Sequence, residues 1–235
     1  VVLALPEDML SGPADGAPEP VPAATRASGR ASEADLQEIL TLLLGAERPF
    51  CIVGGGGWSA EAARALGDLA LALDMPVGAS FRCQDYLDNR HPAYAGDVGI
   101  GINPALARQV READVIFALG TRLGEMTTSG YTLLTPPVAA QTLIHAHADP
   151  DEPGRVYRPE LAVCARPGPL TIQLAALAGN PLAATPRVKA ARAIYDAWQQ
   201  PQETPGALRM ENVIAHLNEV LGDDAVLTNG AGNYS

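Results

Sequence analysis

FCIVGGGGWSAEAARAL, Phe50–Leu66, decides the fold. Four apolar residues run into Gly54-Gly55-Gly56-Gly57. Ser59 then opens a segment that sets Ala62, Ala63, Leu66, Leu69, Ala70 and Leu73 on one helical face. The same alternation continues on both sides. Ser32 caps a helix with Leu36, Ile39, Leu40, Leu43 and Leu44 at helical spacing, and PVGAS at 76–80 is a strand. Asn103-Pro104 opens a helix that runs to about Glu112, with Pro at its first position. DVIFALG (114–120), TLIHAHA (142–148) and LAVCA (161–165) are apolar strands, and Pro169 opens a closing helix, PLTIQLAALAG. Short, continuously apolar strands alternating with helices imply a parallel sheet covered on both faces. The expected fold is α/β: a doubly wound, mostly parallel, Rossmann-like domain over residues 32–180.

Composition narrows the function classes. Of 235 residues, 47% are hydrophobic, enough for a sizeable core. A formal net charge of −11 makes nucleic acid and anionic membrane surfaces poor partners. No apolar run approaches the length of a membrane span, and no basic segment leads into an apolar core as in a signal peptide. Cys51, Cys83 and Cys164 are odd in number, far apart and free of any C-x-x-C, which indicates neither a disulfide framework nor a zinc site. A cytoplasmic setting follows from that cysteine usage.

Residues 11–31 are rich in Pro, Ala and Gly without a period, the composition of a linker. Pro-bearing junctions near 179–187 and 200–206 bracket RVKAARAIYDAW, expected as an isolated helix within a second linker, 181–206. The chain opens on a strand-like run, VVLALPEDML, with no initiator Met. It closes on AVLTNGAGNYS, a strand followed by a glycine-containing turn. Residues 1–10 and 207–235 are therefore expected to be pieces of neighbouring domains in a longer protein.

In a sheet of this kind ligands bind beyond the carboxyl ends of the strands. Those ends are Gly54–Gly57, Ser80-Phe81-Arg82, Gly120-Thr121-Arg122 and Ala146-His147-Ala148-Asp149. Glycines after the first strand let backbone N–H groups approach a phosphate at the positive end of the next helix. The same glycines also suit a tight strand-to-helix turn that binds nothing. The dinucleotide fingerprint is incomplete: Ser59 stands where the third Gly belongs. Asp74, 20 residues after Gly54, ends a helix instead of following the second strand, which puts a ribose out of its reach. Arg122 is a candidate phosphate anchor, or a surface arginine in an ion pair. His145 and His147 share one strand face by their i, i+2 spacing. With Asp149 as the nearby third donor they could hold a metal, although a strand-end His is usually just hydrogen-bonded. Nothing beside Cys83 would activate it as a nucleophile.

The ordered set of pieces resembles the thiamine-diphosphate-dependent enzymes of the acetolactate synthase type. VVLALPEDML looks like the last strand of their pyrimidine-binding domain, and RPFCIVGGGG looks like the start of their central domain. EADVIFALGTRLGE and LIHAHADPDEPG resemble two later strands of that domain. MENVIAHLNEVLGDDAVLTNGAGNYS is similar to the opening helix and first strand of the diphosphate-binding domain. The resemblance implies a 2-keto acid decarboxylase or carboligase that uses thiamine diphosphate and Mg2+ and works as a homodimer or homotetramer. An oxalyl-CoA-decarboxylase-like or simple 2-keto acid decarboxylase is the neighbouring alternative. A stand-alone nucleotide-binding module is the alternative of another class.

The resemblance places the catalytic Glu before Val1 and the magnesium motif after Ser235, so no catalytic or metal-binding residue is expected in this chain and the piece alone is expected to be inactive. Contacts to thiamine diphosphate would come from Gly230, Gly232 and Asn233, the last standing where acetolactate synthases commonly carry His. For a nucleotide in the central domain, FAD or ADP, the candidates are Gly54, Gly55, Gly56, Gly57, Thr121, Arg122 and Asp149. Three departures from the family pattern point away from ordinary FAD binding and towards an empty or differently occupied site. Glu125-Met126 stands for Asp-Arg, His147 for an Asp, and Ala165-Arg166 for Gly-Asp.

Overall fold

Pro49–Val53, Val77–Ser80, Tyr94–Val98, Val115–Leu119, Thr142–His147 and Leu161–Cys164 form strands β1 to β6 of one sheet. The computed structural model describes residues 3–13, 16, 19, 21–22, 29–183, 185–222, 224–228 and 230. The strand order is β3-β2-β1-β4-β5-β6, and every pairing is parallel. This is the doubly wound Rossmann order. β1, β2 and β4 are buried at every residue, which is why their sequences are continuously apolar instead of alternating.

Helices α1 (Glu7–Ser11), α2 (Glu33–Gly45), α3 (Ala60–Ala72), α4 (Pro104–Glu112), α5 (Pro167–Ala178), α6 (Pro186–Trp198) and α7 (Met210–Val220), with a 3-10 turn at Gln84–Tyr86, complete the described elements. Successive strand side chains point to opposite faces and build two cores. Cys51, Val53, Val77, Phe117, Ile144 and Val163 pack with α2, α3 and α5. Phe50, Ile52, Ile116, Ala118 and Leu143 pack with α4, Tyr157 and the segment that follows β4. The helix starts are fixed locally. Ser32 and Asp35 form a reciprocal capping box at 3.1 and 2.8 Å, Ser59 Oγ accepts from Ala62 N at 3.1 Å, and Asn103 Oδ1 accepts from Ala105 N at 2.9 Å.

The structure departs from the sequence reading at five places. β3 has no counterpart in it, because YAGDV carries Gly96, at φ 118°, and an Asp, both depleted in strands. α5 starts at Pro167 and not at Pro169; both prolines fit a first turn, where no N–H is needed. α6 does not stand isolated. Val188 and Ala191 are buried in the cores, and Asp74, 2% exposed, accepts from Val188 N at 2.9 Å, Arg187 N at 3.1 Å and Arg187 Nε at 3.0 Å. The opening run gives no strand among its described residues; Glu7–Ser11 is helical and Leu3, Leu5, Met9 and Leu10 are exposed. Residues 225–228 likewise form no strand. An extended segment with no sheet edge beside it leaves its backbone unpaired and does not persist as a strand.

Candidate functional site

In this strand order the winding reverses between β1 and β4. The turns after those two strands diverge and leave a crevice at their carboxyl ends. A cleft of about 440 Å³ lies there. Gly55, Gly56, Thr121, Arg122 and His147 line it, together with Ser80, Phe81 and Glu125.

The four glycines divide by role. A Cβ on Gly54 would collide with Ser80 Oγ and meet Thr121, so this glycine lets β1 pack between its neighbours. Gly55 has φ 71°, and a Cβ there would collide with the carbonyl oxygen of Gly120. Gly57 has φ 87°, and a Cβ would sit 3.2 Å from the Arg166 guanidinium. A Cβ on Gly56 would meet nothing within 4 Å. The carbonyls of the turn are held from outside. Trp58 Nε1 donates to Gly54 O at 2.9 Å, the Tyr86 hydroxyl donates to Gly55 O, and the two rings stack with centroids 5.2 Å apart. Among the described residues the N–H groups of Gly55, Gly56 and Gly57 have no acceptor. Consecutive free amides in a turn favour an anion.

Two arginines border this turn. Arg166, at the start of α5, lies beside Gly57, and its guanidinium has no partner among the described residues. Arg122 is largely exposed and 3.9 Å from Glu152 Oε2, a loose ion pair of small energetic weight. Glu152 is 8% exposed and also meets Arg155 at 3.4 Å. Arg166 enters the sequence reading only as a lost acid. Its gain as a cation shows once α5 brings it against the glycines. The Trp58–Tyr86 clasp had no sequence signal, since its members lie 28 positions apart (86 − 58).

His145 and His147 share a face as expected, with ring centroids 6.3 Å apart. His145 is buried, with Nε2 donating to Thr121 O at 3.0 Å and Nδ1 unpartnered. Burial pushes its pKa below the ordinary imidazole value; the hydrogen bond to Thr121 opposes this. His147 Nδ1 accepts the Asp149 N–H at 3.0 Å. Asp149 is exposed, and its carboxylate accepts from Asp151 N at 3.0 Å within the same turn. No group of three or more His, Cys, Asp or Glu that could hold a metal occurs among the described residues. Cys83 is half-buried beside the cleft, where its Sγ approaches Phe81 O at 3.7 Å. Gly230 is exposed, while Gly232 and Asn233 lie outside the described residues. No helix among the described residues is long and apolar enough to cross a membrane.

Comparison with known proteins agrees with this architecture. Residues 36–175 match the family described as thiamine pyrophosphate enzyme, central domain. The chain is 27% identical over 207 residues to an acetolactate synthase of Mycobacterium bovis, covering 85% of this chain and 33% of that protein. It is 34% identical over 100 residues to a sulfoacetaldehyde acetyltransferase of Alcaligenes xylosoxydans xylosoxydans, covering 43% of this chain and 17% of that protein. It is 30% identical over 107 residues to a 3D-(3,5/4)-trihydroxycyclohexane-1,2-dione hydrolase of Clostridium perfringens, 46% of this chain and 17% of that protein. The chain thus spans between 17% and 33% of the length of these relatives.

Proposed function

The chain belongs to the thiamine pyrophosphate enzymes, whose central domain it contains, and from that premise we propose that it is part of a thiamine-diphosphate- and Mg2+-dependent enzyme acting on a 2-keto acid, in the manner of an acetolactate synthase. The observation that carries this reading is the reach of the acetolactate synthase match, 207 residues, well beyond the matched central domain. Bound thiamine diphosphate supplies an electron sink for decarboxylation of the keto acid. Of the candidate thiamine diphosphate contacts, Gly230 alone lies among the described residues. The central domain's part in the reaction is to carry the flanking domains and to hold a nucleotide.

For that nucleotide we assign the cleft between β1 and β4. The free amides of Gly55–Gly57, the exposed Arg122 and the unpaired Arg166 suit a diphosphate, and Gly56 leaves room for its close approach. His147 stands in the lining where the related enzymes carry an Asp, which removes an anionic acceptor for ribose or adenine hydroxyl and amino groups. The assignment is therefore to the diphosphate that ADP and FAD share, with weakened recognition of the adenosine they also share. The protein is read as cytoplasmic from its cysteine usage, and as at least a homodimer because the resemblance implies a homodimer or homotetramer.

Two experiments test these statements. A chain extended through both flanking domains is expected to consume pyruvate or another 2-keto acid only when thiamine diphosphate and Mg2+ are added, and to sediment as a dimer or larger. Failure with a panel of 2-keto acids, or a fully active monomer, refutes the reading. The 235-residue chain alone is expected to turn over nothing. For the cleft, the purified chain is denatured and the supernatant analysed by absorbance and mass spectrometry. ADP or FAD in the supernatant supports the assignment, and a chain that is empty and takes up neither on titration removes it.

A further inference from the structure

A second cavity, of about 230 Å³, lies at the outer edge of the sheet, where β3 meets the start of α4 and the end of α6. It shares no lining residue with the cleft between β1 and β4. Its lining is aromatic and polar and includes Tyr94, Tyr195, Trp198, Asn103 and Gln199. Asp97, from β3, supplies the one charge in the lining. Asp97 Oδ1 accepts from Gln84 Nε2 at 2.9 Å, and no cation pairs with the carboxylate among the described residues. Its side chain is half-buried, and burial raises its pKa above the usual carboxylate range while the Gln84 hydrogen bond opposes the shift.

A carboxylate withdrawn from water without a counter-ion is in an unfavourable state that an incoming cation relieves. Ring faces attract cations as well, and one in this cluster already does so: the Arg192 guanidinium lies 4.9 Å from the centroid of Tyr195. That arginine is itself committed to Asp196 at 2.8 Å and to Asn89 O, and it does not reach Asp97. The lining holds no Lys or Arg to receive an anion. The volume falls below the roughly 300–1,000 Å³ of drug-sized pockets, so the occupant is small.

We propose that this cavity binds a small organic cation, an ammonium or guanidinium group paired with the Asp97 carboxylate and flanked by the Tyr195 and Trp198 rings. The site is independent of any nucleotide in the cleft and of the thiamine chemistry.

Agmatine, which carries both cationic groups, is a suitable probe. It is titrated into the 235-residue chain by calorimetry at physiological ionic strength, with 1,4-butanediol as the uncharged control. Trp198 lines the cavity, so its fluorescence reports occupancy. The expected result is saturable one-to-one agmatine binding and no response to the diol. Asp97→Asn preserves the hydrogen bond to Gln84 and is expected to weaken agmatine binding about tenfold or more. Trp198→Ala, at a half-exposed helix end, is expected to weaken it several-fold without loss of the fold. Absence of saturable binding, or binding unchanged by both substitutions, overturns the proposal. Should Asp97→Asn fail to fold, as seen in its circular dichroism, the Trp198 variant decides alone.

Discussion

Gly55 and Gly56 are neighbours with the same chemistry and opposite tolerance. Gly55 sits at φ 71° with its missing Cβ pointing into the Gly120 carbonyl, whereas Gly56 faces open space. Gly55→Ala is therefore expected to cost about 2–3 kcal/mol of folding stability in a denaturant titration, from the backbone conformation and the clash together. Gly56→Ala is expected to leave stability within about 0.5 kcal/mol. The same alanine places a methyl group where a phosphate would approach the free amides, so it is expected to weaken ADP binding while the fold stays intact. Equal stability losses in the two variants would contradict the division of roles. From sequence the four glycines form one undivided set. Which of them packs and which lies open depends on the positions of Ser80, Gly120 and Arg166, far along the chain.

At the scale of elements, α6 shows how a segment that looks like connection becomes part of the domain. Asp74 ends the helix before β2 and turns its carboxylate onto the first backbone N–H groups of α6, where the helix dipole favours negative charge. It holds Arg187 at 3.0 Å, and that guanidinium also donates to the carbonyls of Ala46 and Glu47, so three elements are tied at one point. Val188 and Ala191 then enter the cores. Asp74→Ala removes a cap and one partner of a largely buried ion pair. The expected loss is about 2–3 kcal/mol, below the figure for a fully enclosed pair because Arg187 keeps access to water. Hydrogen exchange across 186–198 is expected to rise in the variant ahead of the strands; unchanged protection there would refute the tie. The sequence carries Asp74 and its distance from Gly54, but a residue 113 positions from its partner leaves no periodic trace.

For the molecule as a whole, two buried or half-buried imidazoles set the response to acid. Burial is the leading cause that lowers the pKa of both His145 and His91 from an ordinary 6.5. The unfolded chain takes up these protons at a higher pH than the folded one does. Stability from this source is thus fully present above about 6.5 and is lost as pH falls below it. Asp97 works in the opposite sense at lower pH, since its raised pKa makes protonation easier in the folded state. The melting temperature is expected to be flat between about pH 7 and 8 and to fall with acid from about pH 6.5. His145→Gln is expected to flatten that slope, and an unchanged slope would remove His145 as its source. The sequence by itself determined the parallel α/β architecture, because strands buried on both faces must be continuously apolar and their helices must show one apolar stripe. It also located the strand ends that face the cleft. Only the tertiary structure decided the edge strand β3, the capture of α6, the split among the glycines, and the meeting of Arg166 with the turn after β1. Each of these rests on contacts between residues distant in the chain, where close packing and desolvation act without leaving any local pattern.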